Sequence, residues 1–420
     1  MQTGRLKFLI LAAFGFFLID EPVFGADWPR FRGPNGTGIA LDKGIPVQWS
    51  ETNGILCKTP IPGTGHSSPI IWGERIFLQS SAADGSERRL FCLDATDGKV
   101  LWSEAMPAKR AHINRSNSMA SSTPATDGKR VYTMFWDGQE IFLSAFDFTG
   151  KMLWKQSLGG FISQHGPGTS PMVVGDKVFV ANDQDGSSEL FALDANTGSV
   201  IWKVPRKAYR ACYSTPFVLE KPGQKPELIV GSTAGITSYQ PDTGEVNWSW
   251  TWKFDNAPLR TVASPIFSQG LIFASSGDGS GDRHTVVIKA DGKGDVSSTN
   301  LVWENKKKLA FPYVPSFLAW GDHLYFVNDK GFAKCVKANT GEIVWDERLG
   351  ENISASPILI NGNIYAASER GTVYVFPAAP QYSLLAKNSM GEDVMATPSV
   401  ANNRLYIRGK NHLFCIGKGQ

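Results

Sequence analysis

A unit that returns eight times governs how this chain can fold. It opens on Ser-Pro or Thr-Pro, runs through two hydrophobic strands, and closes with a hydrophobic–Asp element, a Gly turn and a Trp. The third copy carries every part: Ser170-Pro171, Val178-Phe179-Val180, Leu190-Phe191-Ala192-Leu193-Asp194, Thr197-Gly198 and Trp202. The other copies begin at Ser68-Pro69, Thr123-Pro124, Thr215-Pro216, Ser264-Pro265, Ser316-Phe317, Ser356-Pro357 and Thr397-Pro398. Gly and Trp stand four residues apart in five copies, and Pro and the first aromatic stand eight apart in six. The starts of successive copies are separated by 40 to 55 residues. That is close to the length of a four-stranded propeller blade.

The single strands agree with this reading. They are rich in β-branched and aromatic residues and are bounded by Asp-Gly, Asn-Gly or Thr-Gly pairs that suit hairpin turns. Asp84-Gly85, Asp137-Gly138 and Asp185-Gly186 recur at equivalent places, so they read as turns rather than metal loops. The Gly-rich stretch from Ser275 to His284 offers Asp278 and Asp282, and no second feature points to a metal there. The predicted fold is all-β: an eight-bladed propeller of four-stranded antiparallel blades. The eighth copy ends at Ile416 without a Trp strand, which would leave a sheet edge open. From Cys57 to Pro69 is twelve residues, the same as from Trp345 to Pro357. Residues 47–60 are therefore expected to close blade eight from the N-terminal side, with Cys57 in the Trp position. The seventh copy also lacks its Trp, and Leu384 or Leu385 is expected to fill the slot. The repeated Trp is expected to wedge each blade against its neighbour.

Three segments follow from this arithmetic. Residues 1–26 read as a signal peptide, with Arg5 and Lys7 before an apolar run from Phe8 to Ile19 that is too short to span a membrane. No Cys lies near its end, so a lipid anchor through Cys is not expected. Residues 27–46 form an N-terminal extension packed on the ring, and 47–420 form the propeller. A periplasmic or secreted monomer with no transmembrane segment after signal cleavage is the expectation. In such an oxidising compartment, Cys57 and Cys415, on neighbouring strands of blade eight, could be bridged. Cys92 and Cys335 share the strand position of Cys415, and the small apolar core is the reading for it. Composition narrows the function classes. The 42 basic and 39 acidic residues leave a net charge of +3, and aromatics are abundant, so neither a disordered chain nor a strongly basic nucleic-acid binder is expected.

The segment Asp194-Ala195-Asn196-Thr197-Gly198-Ser199-Val200-Ile201-Trp202 resembles the repeat of quinoprotein-type, PQQ-like propellers. The resemblance covers about residues 47–420. Asp27-Trp28-Pro29-Arg30-Phe31-Arg32-Gly33-Pro34-Asn35-Gly36 is also similar to the start of secreted bacterial proteins of this repeat class, with Trp28 and Phe31 as an anchor on the outside or bottom of the ring. The superfamily includes PQQ-dependent alcohol dehydrogenases and the non-enzymatic propeller of the outer-membrane β-barrel assembly machinery. The dehydrogenases carry adjacent cysteines beside the quinone. Here the five cysteines stand at 57, 92, 212, 335 and 415, and no Cys-x-x-Cys-His haem site exists. The chain therefore resembles the assembly-factor type more closely, although it lacks that protein's lipid-bearing Cys.

The loops leading into each Ser/Thr-Pro should converge on one face of the ring. They carry His66 before blade one, Arg110, His112, Arg115 and Asn117 before blade two, Gln164 and His165 before blade three, Arg206, Tyr209 and Arg210 before blade four, and Arg260 before blade five. Acidic residues are sparse there, with Glu392 and Asp393 before blade eight. A basic funnel would draw a small anionic ligand or an acidic envelope or secreted protein. The bland alternative is an ordinary solvated loop surface. His66, His112 and His165 share no metal-ligand spacing, and no nucleophile, zinc or phosphate-loop motif is present. A binding scaffold with no cofactor and no catalytic residue is the leading reading. The rival is a dehydrogenase-like quinoprotein holding PQQ and calcium in the funnel.

Overall fold

The computed structural model describes residues 27–418, so the expected signal segment lies outside the described residues. Eight sheets follow one another around a ring. Blade one is made of Ile70–Trp72, Arg75–Ser81, Glu87–Asp94 and Val100–Pro107, paired antiparallel in that order. Blades two to seven repeat this scheme over 125–160, 172–206, 217–251, 266–305, 318–348 and 358–389. The first strand of each blade is innermost and faces the first strand of its neighbour, as 70–72 does with 399–401. The second and third strands are almost wholly buried, and the fourth is half exposed. Among the described residues no helix is long and apolar enough to cross a membrane.

Two contacts between blades explain why the repeat keeps its residues. In six of the eight copies the backbone N–H of the Ser or Thr that opens the repeat donates to the hydroxyl of its counterpart one blade on. The chain of bonds runs Ser68 to Thr123 (3.1 Å) to Ser170 (2.9 Å), and again Thr215 to Ser264 (2.9 Å), then Ser316, Ser356 and Thr397 (3.0 Å each). The Pro that follows has no N–H to leave unpaired at the start of the inner strand. The second contact is the Trp wedge. Trp102, Trp154, Trp202, Trp303 and Trp345 donate their indole N–H to the carbonyls of Phe148, Ala195, Pro241, Ala338 and Ala379 in the following blade, at 2.9 to 3.1 Å. Four of these rings also lie flat against the turn glycine of that blade: Gly150, Gly198, Gly244 and Gly341.

Ile55–Pro60 pairs antiparallel with His412–Ile416 and completes blade eight, as the spacing predicts. Cys57 stands opposite Cys415 and is bonded to it, linking positions 358 residues apart. Cys57 also covers Gly98 of blade one, where the other blades use Trp. Cys92, Cys212 and Cys335 are free and buried.

Blade seven departs from expectation. The register Val375–Ala386 places Ala386, not Leu384 or Leu385, opposite the third strand where Trp345 stands opposite Cys335 in blade six. Leu384 and Leu385 are exposed. The missing indole comes from elsewhere. Trp49 stacks on Tyr365 at 6.3 Å, the contact that Trp345 makes with Tyr325 at 6.1 Å.

The segment from Trp28 to Ala40 runs into the ring rather than over its outside. Trp28 bridges to Ile71 of blade one, and the Pro29 carbonyl accepts the N–H of Thr126 of blade two. Arg30 donates to the Pro216 carbonyl of blade four (2.5 Å), and Arg32 to the carbonyls of Phe317 (2.5 Å) and Pro357 (3.1 Å) of blades six and seven. Ile39–Ala40 adds a parallel fifth strand to the inner edge of blade seven. A stretch this short can reach inner strands on all sides only from the axis, so it closes the lower end of the central channel.

Candidate functional site

The loops between blades and the hairpins between second and third strands form the upper face, opposite the axial segment. Between the loops entering blades one and two lies a cleft of about 650 Å3. Of the residues singled out from the sequence, His66, Arg110, His112 and Asn117 line it, above a floor that includes Ala82, Ala111, Ile113 and Met119. Arg110 and His112 are exposed. Burial, with the charge of Arg408 adding to it, pushes the His66 imidazole down to about 4, so it is neutral at ordinary pH. Asn117 ties the loops together: its amide donates to the carbonyls of His165 (2.8 Å) and Pro167 (3.1 Å).

A second cluster lies at the mouth of the channel. The buried Arg260 reaches from the loop before blade five to Gln164 Oε1 (3.4 Å) and lies 3.8 Å from the Asp185 carboxylate. Burial lowers the His165 imidazole, and the charges of Arg260, Arg210 and His112 act the same way against Asp185. These groups therefore share one electrostatic neighbourhood. Tyr213 and Tyr313, which the sequence reading passes over, complete the mouth. The Tyr213 hydroxyl meets Ser163 Oγ at 3.0 Å, and the Arg283 guanidinium lies over the Tyr313 ring at 5.2 Å. Burial raises both phenols, that of Tyr313 to about 12. Their signal in the sequence is a Tyr shortly before the inner strand, at 213 and 313.

Arg206 and Tyr209 stand apart. Arg206 is turned inward. Its guanidinium pairs with Asp183 at 2.8 and 3.1 Å and donates to the Tyr239 hydroxyl at 2.7 Å, so it presents nothing to the mouth. Tyr209 is exposed beneath the Lys207 ammonium, and Arg115 is exposed with no ion pair among the described residues. Over blades seven and eight two carboxylates are engaged: Glu351 accepts the hydroxyls of Ser368 and Thr372, and Glu392 holds the His412 ring at 2.8 Å. Carboxylates also stand among the basic loops, at Asp84, Asp137, Asp185 and Asp278 in the hairpins of blades one, two, three and five, where Arg110 and Arg115 are exposed.

Such a surface can hold anions. Among the described residues no group of three or more His, Cys, Asp or Glu side chains is placed to hold a metal ion. The residues present do not fit a calcium-bound quinone either. The five repeated indoles are wedged between blades with their N–H groups engaged. Asp278 is closed into its hairpin by Ser280 and Asp282, and Arg30 and Arg32 occupy the axis.

The sequence profile of the family described as outer membrane protein assembly factor BamB matches residues 39–143 and 139–376. The chain belongs to this family. BamB of Shewanella oneidensis is 23% identical over 237 residues, which cover 55% of this chain and 56% of that protein. The chain therefore spans little more than half the length of that relative. The crystal structure of BamB from Moraxella catarrhalis superposes with a TM-score of 0.62 at 15% identity, covering 86% of this chain and 99% of that one. The quinohemoprotein alcohol dehydrogenase of Comamonas testosteroni gives 0.64 at 14% identity, covering 94% and 81%. At such identities the structural likeness concerns the fold, which scaffold and enzyme share.

Proposed function

We propose that this chain is a scaffold of the bacterial envelope, working on the periplasmic side without bond-making chemistry. Its basic upper face holds an acidic segment of another envelope protein. The observation that carries this reading is the Arg260 guanidinium held on Gln164 Oε1 at 3.4 Å and 3.8 Å from Asp185, with Arg210 near enough for its charge to help lower His165, at the mouth of a propeller whose lower end is filled by its own chain. Relatives named as outer membrane assembly factors support an envelope partner. Like charges held together on rigid loops raise the local concentration of an anionic partner and speed its association.

The test is binding to blocked acidic peptides and to envelope extracts at low and high salt. Arg115→Ala and Arg210→Ala should each weaken peptide binding about 3–10-fold, in line with the roughly 1 kcal/mol carried by a charged contact at an interface rim. Unchanged affinity in both variants removes the upper face from consideration. Saturable binding of PQQ with calcium, together with dye-linked alcohol oxidation, would replace the scaffold with a quinoprotein.

A further inference from the structure

Arg408 ends the second strand of blade eight. Arg404, Tyr406 and Arg408 alternate along one face of that strand, and the first two bond to the Ala95 carbonyl at 2.6 and 3.2 Å, so this face meets blade one. Arg408 is 1% exposed, and none of its three guanidinium nitrogens has a hydrogen-bond partner. Every other deeply buried arginine has at least one partner, although one nitrogen of Arg30 and one of Arg260 also lack a hydrogen bond. Arg206 has Asp183, Arg88 has the carbonyls of Trp136, Gly85 and Lys109, and Arg32 has four carbonyls. Glu392, the acid whose charge reaches Arg408, has its oxygens bound by the His412 ring and by the N–H groups of Asn411 and His412.

The ladder register puts Gln79, Met134, Ala181 and Val327 at this position in blades one, two, three and six. The fold thus asks for no charge here, and a buried guanidinium without a counter-ion is costly. The side chain at this position reaches the next blade: Gln79 of blade one donates to the Met134 carbonyl of blade two at 3.2 Å. By the same reach Arg408 faces Gln79, whose backbone N–H is bound by Ser67 next to His66 at 3.1 Å, and its charge is a lesser cause, after burial, of the lowered His66 imidazole. His66 lines the cleft between the loops entering blades one and two. A neutral imidazole does not cancel the field of a cation behind it. Arg110 and His112 face the same cleft from its rim, and its small apolar floor leaves room for an extended peptide.

We infer that this cleft is the specific seat of an acidic peptide's side-chain carboxylate, contacted by Arg110 and attracted by the unpaired charge of Arg408. The inference rests on the scaffold reading and narrows it to one place on the upper face. Arg408 is a positioning residue here: it acts through its field, and Arg110 makes the contact.

The probe is a peptide of alternating Ala and Glu, blocked at both ends, compared with its Gln counterpart. Binding is followed by calorimetry and by amide shifts of Ala82, Ala83 and Ala111. Arg408→Met should bind the Glu peptide 5–10-fold more weakly while melting at or above the wild-type temperature, because it removes an unpaired buried charge. A purely structural arginine would instead lose stability and leave binding intact, and that result overturns the inference. Arg110→Glu, an exposed change that cannot disturb the core, should abolish the shifts at the three alanines. Persistence of those shifts overturns it independently of how Arg408→Met folds. If the peptide binds with sensitivity to Arg210→Ala but not to Arg110 or Arg408, this seat is wrong and the scaffold reading stands. Absence of any binding removes both.

Discussion

At the scale of single residues, the repeat keeps its letters because each one is used by the neighbouring blade. The hydroxyl of Ser/Thr-Pro receives a backbone N–H from the preceding blade, and the turn glycine receives its indole. Neither partner is visible within one copy of the repeat. Spacing showed that these residues recur, but their use is a contact about 50 residues away. Gly198 makes the point measurable. Its φ is +73°, and a Cβ there would stand 2.5 Å from the Trp154 ring. Gly198→Ala meets both the left-handed penalty of about 1–2 kcal/mol and an overpacking cost of about 1–3 kcal/mol. Urea unfolding should show a loss of about 2–5 kcal/mol, with the fluorescence of Trp154 altered. A variant as stable as the wild type would mean that the Trp154 ring does not press on the turn. The same reliance on distant partners explains the candidate site. Arg206 and Arg260 look alike in sequence, yet one is paired inside with Asp183 and the other spans the channel mouth.

At the scale of elements, closure was legible and its repair was not. The missing strand of blade eight could be found by counting, because the interval from Cys57 to Pro69 matches that from Trp345 to Pro357. The missing indole of blade seven could not. Trp49 reaches Tyr365 from more than 300 residues away and obeys no interval. The Cys57–Cys415 bond tests how much the closing strand matters. It ties Ile55–Pro60 to the last strand of the fold, so reduction frees a loop that spans 358 residues. Loop entropy alone would make such a link worth about 6 kcal/mol, and removing a native disulfide costs about 2–5 kcal/mol. Cys57→Ser paired with Cys415→Ser should lower the melting temperature, and hydrogen exchange should rise first in Ile55–Pro60 and His412–Ile416. Equal protection of those strands with and without the bond would show that pairing and packing hold the ring shut unaided.

At the scale of the whole molecule, the lower end of the channel is filled by the chain itself. Repeat counting hides this, since residues 27–40 lie before the first copy and match none of its letters. The axial segment makes a specific claim about cooperativity. Arg32 is fully buried and joins blades six and seven through the carbonyls of Phe317 and Pro357, while also fixing its own turn at Gly36 and Thr37. Arg32→Ala leaves those carbonyls without partners in a space closed to bulk water, at a cost of about 1–3 kcal/mol for each group so stranded. If the segment is a keystone, the loss appears far from the substitution, as faster amide exchange in the inner strands 318–320 and 358–360. Exchange confined to residues 27–40 would instead make the segment a passenger in a ring that stands without it. The distinction matters for function. A ring braced along its axis presents the upper-face loops as one rigid surface, and only such a surface can hold Arg110, Arg210 and Arg260 in fixed relation to a partner.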